Sequence, residues 1–109
     1  MTTTLKLEHA IVDFETWRSA FERDPVGRER LGVRRYRICR PIDDPKYVLV
    51  DLDFDSAAEA QTFLTALEQV WSRAELSPGL ARSAAPGTAK PRTRIVEEVD
   101  ARSYQSKSV

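Results

Sequence analysis

The strongest constraint on how this chain can fold lies between residues 33 and 54. There the segments VRRYRICR and YVLVDLDF flank a short stretch, PIDDPK, from Pro41 to Lys46. In the second segment Val48, Val50, Leu52 and Phe54 alternate with Tyr47, Leu49, Asp51 and Asp53, which is the two-residue period of a strand. The first segment is harder to place, because its four arginines interrupt Val33, Tyr36, Ile38 and Cys39 without a clean period. Two prolines and two aspartates in the linking stretch are turn chemistry, so the segments read as an antiparallel pair. A turn centred there sets Ile38 opposite Val50 and Tyr36 opposite Leu52. The same register sets Arg37 against Asp51, Arg35 against Asp53 and Cys39 against Leu49. One face is then apolar, and on the other Arg35 and Arg37 each meet a carboxylate across the strands. A slip of one residue would carry the aspartates onto the apolar face, so the alternation specifies the pairing.

The rest of the chain supplies four more elements. Thr3 to Val12 alternates, with Leu5, Leu7, His9 and Ile11 on one face and Lys6, Glu8, Ala10 and Val12 on the other. Asp13 is placed to cap a helix that carries Glu15 in its first turn and an apolar stripe of Phe14, Trp17 and Phe21. Arg18 and Glu22 lie at pairing distance on its outer side. Asp24-Pro25 ends this helix, and Val26 to Leu31 reads as one further turn stopped by Gly32. Ser56-Ala57-Ala58-Glu59 matches a capping box and opens a second helix. Its stripe is Ala60, Phe63, Leu64, Leu67, Val70 and Trp71, and it fades near Arg73 to Glu75. Residues 76–91, rich in Pro, Gly, Ala and Ser, show no period and read as a long loop that either moves or covers something. Arg92 to Asp100 is a last strand with Ile95 and Val99 on one face, and 101–109 is a polar tail expected to fray. The order β-α-β-β-α-β describes an α+β, ferredoxin-like domain over residues 1–100, a four-stranded antiparallel sheet with both helices on one face.

Charge and cysteine content narrow the function. Lys plus Arg equals Asp plus Glu at 17 each, which argues against a nucleic-acid partner, since phosphate binding leaves positive charge in surplus. No apolar run approaches the ~18 residues of a membrane span, and the N-terminus does not read as a secretory signal, so a cytoplasmic protein is expected. Cys39 stands alone, which rules out an intrachain disulfide, a thiolate zinc site and a redox pair; no metal is expected. Gly27 and Gly32 belong to no phosphate-binding motif, so no nucleotide is expected either.

With both helices on one sheet face, the other face carries Ala10, Val12, Val33, Cys39, Tyr47, Leu49 and Val96 among Lys6, Glu8, Arg35, Arg37, Asp51, Asp53, Arg94 and Glu98. That is too apolar for a comfortable solvent face and dense in opposite charges. It predicts a homodimer packed sheet against sheet, with Arg35, Arg37, Tyr47, Leu49, Asp51 and Asp53 at the interface and paired ions fixing orientation. The alternative is a solvated sheet whose surface ion pairs contribute little.

By its element order, the Asp13-Phe14-x-x-Trp17 helix start, the stretch GVRRYRICRPIDDPKYVLVDLDF and the Ser56-to-Trp71 helix, the chain over residues 3–100 resembles the dimeric α+β barrel superfamily. Its members include antibiotic-biosynthesis monooxygenase-like proteins, heme-degrading monooxygenases, muconolactone isomerases and polyketide cyclase-like proteins. The resemblance implies a ligand space between sheet and helices. His9, Tyr36, Trp17, Phe63, Leu67 and Trp71 would reach it, with Arg34 at its edge. No histidine follows Trp71 to serve as an axial ligand, so heme does not fit and no cofactor is expected. The implied function is a small homodimeric enzyme, a cofactor-independent monooxygenase or a cyclase/isomerase, acting on a hydrophobic aromatic or polyketide-like small molecule. The alternative is a non-catalytic dimer that binds a small molecule or another protein.

The residues themselves leave their roles open. His9 has the one side chain whose ordinary pKa lies near neutrality, which suits a general acid or base. The simpler reading of a lone histidine is a core-edge residue bonded to a backbone carbonyl. Tyr36 could donate to a substrate oxygen or serve the core. Trp17 and Trp71 could stack on an aromatic ligand, and equally belong to helix stripes that face the core. Asp51 and Asp53, opposed by arginines, suit ion pairing better than acid–base work.

Overall fold

A computed structural model describes residues 2–73 and 91–105. Four strands and two helices run in the order β1 (Thr3–Ala10), α1 (Phe14–Arg23), β2 (Arg35–Cys39), β3 (Tyr47–Phe54), α2 (Ala57–Trp71) and β4 (Arg92–Glu97). The strands form one antiparallel sheet in the order β2-β3-β1-β4. This is the ferredoxin-like arrangement expected from the element order. The β2–β3 register is the one the charge alternation demands, with Arg35 opposite Asp53, Tyr36 opposite Leu52, Arg37 opposite Asp51, Ile38 opposite Val50 and Cys39 opposite Leu49.

Both helices start where their caps place them. The Asp13 carboxylate accepts from the Thr16 amide at 2.8 Å and from the Thr16 hydroxyl at 2.7 Å, and these bonds hold its pKa below the ordinary carboxylate value. The Ser56 hydroxyl accepts from the Glu59 amide at 3.2 Å. Arg18 and Glu22 pair at 3.1 Å on the outer side of α1. The chain leaves α1 through Asp24, a non-glycine residue in the left-handed region at φ 50°, and turns back through Gly32 at φ +102° into β2.

The core lies between the sheet and the helices. Leu5, Val48, Val50, Leu52 and Phe54 of β1 and β3 are almost fully buried, as are Ile11, Ala60 and Phe63. Helix α2 lies on β1, β3 and β4, whereas α1 reaches the core chiefly through Trp17, with Phe14 and Phe21 packed around it. That looser seat of α1 leaves space on the helical side of the sheet.

Several positions depart from simple alternation. Val33 is buried in the core rather than on the opposite sheet face, because its amide bonds the Arg28 carbonyl at 3.0 Å and so it belongs to the turn before β2. Val12 lies beyond the end of β1 and is exposed, and Val99 lies beyond the end of β4 and is exposed. Glu98 also falls past β4, its amide bonding the Thr2 carbonyl at 2.9 Å. The loop read at 76–91 lies outside the described residues but for Pro91. Of the tail, residues 101–105 are exposed and without regular structure, and the remainder lies outside the described residues.

Candidate functional site

On its helix-free side the sheet is laid out in charged rows. Arg35 donates to Asp53 at 2.8 Å, and the Thr4 hydroxyl donates to the same carboxylate at 2.7 Å. Burial raises the pKa of Asp53, but those two hydrogen bonds and the charges of Arg35 and Arg37 outweigh it and leave it below the ordinary value. In the next row Asp51 lies between Arg37 at 3.0 Å and Lys6 at 3.1 Å. Beyond it the Tyr47 hydroxyl donates to Glu8 at 2.7 Å, a bond that raises the tyrosine pKa. Leu49 is half-buried among these groups, and Cys39 on the edge strand is exposed. The outer rows line a shallow charged concavity of about 520 Å³. All these carboxylates are engaged by donors, which suits an interface better than proton transfer.

The other side holds a smaller and far more apolar space, a cavity of about 90 Å³. Its floor is Leu7 and His9 of β1 with Leu52 of β3. Its walls are Trp17 and Phe21 of α1, Phe63, Leu67, Val70 and Trp71 of α2, and the Asp24–Arg28 turn. The alternation of β1 turns Leu7 and His9 to the helical side, and the 3.6-residue period of the two helices brings their aromatic residues over them. Both of the chain's tryptophans therefore line this space. An adjoining groove of about 250 Å³ shares Pro25, Val26 and Val70 with it.

His9 is the polar group on the floor, 6% exposed. Its Nδ1 lies 3.1 Å from the Ala10 carbonyl oxygen, which can only accept, so Nδ1 carries the proton and Nε2 is the acceptor of the neutral ring. Among the described residues Nε2 has no hydrogen-bond partner, and none of their side-chain nitrogen or oxygen atoms is both sealed off and unpaired. Nε2 is thus unpaired without being wholly sealed off. Burial lowers the His9 pKa below 6.5, and the Ala10 bond offsets this only in part. The Trp17 ring stands over it at a centroid distance of 6.0 Å.

Of the residues singled out in the sequence, the structure brings His9, Trp17, Phe63, Leu67 and Trp71 together around one cavity. Tyr36 and Arg34 stand outside it. Tyr36 is on the helical face as alternation requires, but β2 is the sheet's edge strand, and the ring packs outside Phe21 at 5.0 Å and remains 48% exposed. Arg34 precedes β2 and pairs with Asp55 at 2.7 Å on the surface. Arg28, by contrast, is a wall residue that the sequence did not point to. It lies in an aperiodic turn, where neither strand nor helix spacing assigns it a direction.

Comparison with solved structures adds the fold. An antibiotic biosynthesis monooxygenase, so assigned, from Bordetella bronchiseptica aligns over 90% of this chain and 97% of its own at 13% identity, with a TM-score of 0.63. SnoaB, a cofactor-independent oxygenase from Streptomyces nogalater, aligns over 92% and 95% at 13% identity, TM-score 0.60. A dimeric ferredoxin-like protein from an uncultured marine organism aligns over 92% and 97% at 11% identity, TM-score 0.60. The fold is shared with these proteins. At these identities the likeness is one of fold alone. No family model and no curated protein matches the chain. Among the described residues no helix is long and apolar enough to cross a membrane, and no three His, Cys, Asp or Glu side chains are grouped to hold a metal ion.

Proposed function

We propose that this protein is a homodimeric oxygenase that acts without metal or nucleotide on an electron-rich hydrophobic aromatic molecule, with His9 as the proton acceptor. The observation that carries the reading is the unpaired Nε2 of a neutral histidine on the floor of an aromatic-walled cavity. The structural neighbours that are monooxygenases or oxygenases support it at the level of fold. The apolar walls and the two tryptophans hold and orient the ring, and His9 removes a proton from a carbon or phenolic oxygen activated by it. The resulting substrate anion supplies the electrons that reduce O2. In the balanced reaction a ring methylene and O2 give a ring ketone and water. The sheet's charged face is the dimer interface, with Arg35, Arg37, Tyr47, Leu49, Asp51 and Asp53 in it.

The test is oxygen uptake with a panel of hydroquinones, naphthols and anthrones. Uptake above buffer, one O2 per product without hydrogen peroxide, is expected. A folded His9→Ala variant should be slower by about 10²-fold or more, the usual scale of a positioned base. A stable His9→Ala protein with undiminished uptake removes His9 from the reaction. A cyclase or isomerase using the same cavity and base would convert such molecules without consuming oxygen.

The cavity's size favours a second reading, a dimer that binds a small molecule without turning it over. At about 90 Å³ it is well below the ~300–1,000 Å³ of typical ligand sites. Displacing Val26 or Val70 would join it to the adjoining groove and bring it to the lower end of that range. Saturable binding of panel compounds with no chemical conversion is the outcome that selects this reading.

A further inference from the structure

The turn that follows α1 places one cation on the cavity wall. Asp24, in the left-handed region, reverses the chain, and its Oδ1 accepts from the Gly27 amide at 3.2 Å and from the Arg28 amide at 2.8 Å. The backbone of Arg28 is thereby held, and its side chain runs back to the end of α1. There Nη1 donates to the Phe21 carbonyl at 2.7 Å. The guanidinium carbon lies 4.0 Å from the centre of the Phe21 ring and 5.2 Å from that of Tyr36. The side chain is only 18% exposed. Among the described residues its one ion pair is with Asp24, Oδ1 to Nη1 at 3.6 Å, longer than a hydrogen bond and to an oxygen already bonded to two backbone amides.

A guanidinium has five N–H donors in a fixed planar fork. The Phe21 carbonyl engages Nη1, whereas Nε and Nη2 make no hydrogen bond among the described residues. Fastening the turn to the helix end accounts for one edge of the fork. The other edge is unassigned, on a residue that lines an aromatic-walled space whose further polar lining is His9 and Asp24. In such surroundings a pre-oriented fork with free donors pairs strongly with an oxyanion.

We propose that Arg28 is an anion-recognition residue, and that the cavity takes a ring bearing a delocalised oxyanion, a carboxylate or a phenolate, with the ring between the tryptophans and the oxyanion on the open edge of the Arg28 guanidinium. This narrows the ligand class of the proposed function; the binding claim itself needs no turnover.

The experiment is equilibrium titration of the full chain followed by tryptophan fluorescence, since Trp17 and Trp71 both line the site. Benzoate and benzamide are the primary probes, nearly equal in shape and different in charge; 4-nitrophenolate against nitrobenzene is the phenolate arm. Benzoate, 4-nitrophenolate or both should bind at least ~10-fold more tightly than the neutral counterpart, and which one does so identifies the oxyanion. Arg28→Gln should weaken anion binding by ~10-fold or more and change neutral binding by less than about 2-fold, with Arg28→Lys between them. Equal affinity of the charged and neutral probes for the unaltered protein overturns the proposal, and this comparison stands even where Arg28→Gln does not fold. A folded Arg28→Gln protein that keeps the charge preference overturns it as well. Anion-selective binding without oxygen uptake would sink the oxygenase reading and leave this one standing. Uptake on rings bound with no preference for the anion would do the reverse.

Discussion

His9 makes the pH dependence of stability unusually easy to interpret, because it is the chain's one histidine. Burial lowers its pKa in the folded state from 6.5. The unfolded chain therefore takes up a proton at a pH where the folded protein does not. Above about pH 6.5 both states carry a neutral ring and His9 adds no pH dependence. As the pH falls below that value the folded state loses stability, and the loss is complete once the pH passes the lower folded pKa. At pH 5.5, one unit below the unfolded value, the ceiling is about 1.4 kcal/mol, reached if the folded ring stays neutral. For a domain of this size that shifts a urea midpoint by about half to one molar. Asp13 and Asp53, whose folded pKa values are lowered, act in a separate window. Their contributions are present above the ordinary carboxylate range and are lost as the pH falls through their folded values, well below 5.5. The assay is urea unfolding at pH 7.5 and 5.5, at one fixed protein concentration, for the unaltered chain and for His9→Gln, whose amide can still donate to the Ala10 carbonyl. The unaltered protein should lose stability between the two conditions and the variant should lose little. Equal losses would show that the ring is protonated freely in the folded state, and the assignment of a neutral, buried base would fall.

Three further outcomes are expected. Ser56→Ala removes the acceptor for the Glu59 amide and should cost about 1 kcal/mol, read by chemical denaturation, with the fold retained. Gly32→Ala places a Cβ at φ +102° and 2.7 Å from Glu59 Oε2; the Glu59 end can swing away but the backbone cannot, so a loss of more than about 1 kcal/mol is expected, and a neutral result would show that the turn relaxes. Light scattering should give a dimer for the unaltered chain and a monomer for Leu49→Arg, which sets a new charge among the sheet's ion pairs; a monomer in both cases refutes the proposed interface.

Strand pairing was legible because period-two alternation and charge complementarity act locally. A slip of one residue would carry Asp51 and Asp53 onto the apolar face, and the observed register instead sets Arg37 opposite Asp51 and Arg35 opposite Asp53. The helix starts were legible for the same reason, since Asp13 and Ser56 bond amides three residues on. So too were His9, Trp17, Phe63, Leu67 and Trp71 as residues turned toward one side of the sheet. Periodicity says which face a residue takes. It does not say how far across the sheet its strand lies, so it could not show that Tyr36 stands at the uncovered edge.

The chain's own order of residues thus determined the elements, their caps and the β2–β3 register, all set by contacts between neighbours in sequence or across one hairpin. Tertiary structure alone decided the rest. It put β2 at the sheet edge, drew Val33 into the core, left α1 standing off the sheet above His9 and swung Arg28 onto the cavity wall. The physical reason is that a turn such as Asp24 to Gly32 has no period. Its side chains are aimed by a left-handed residue, a captured amide and a ring to stack on, and those meet only when the helix and sheet have packed.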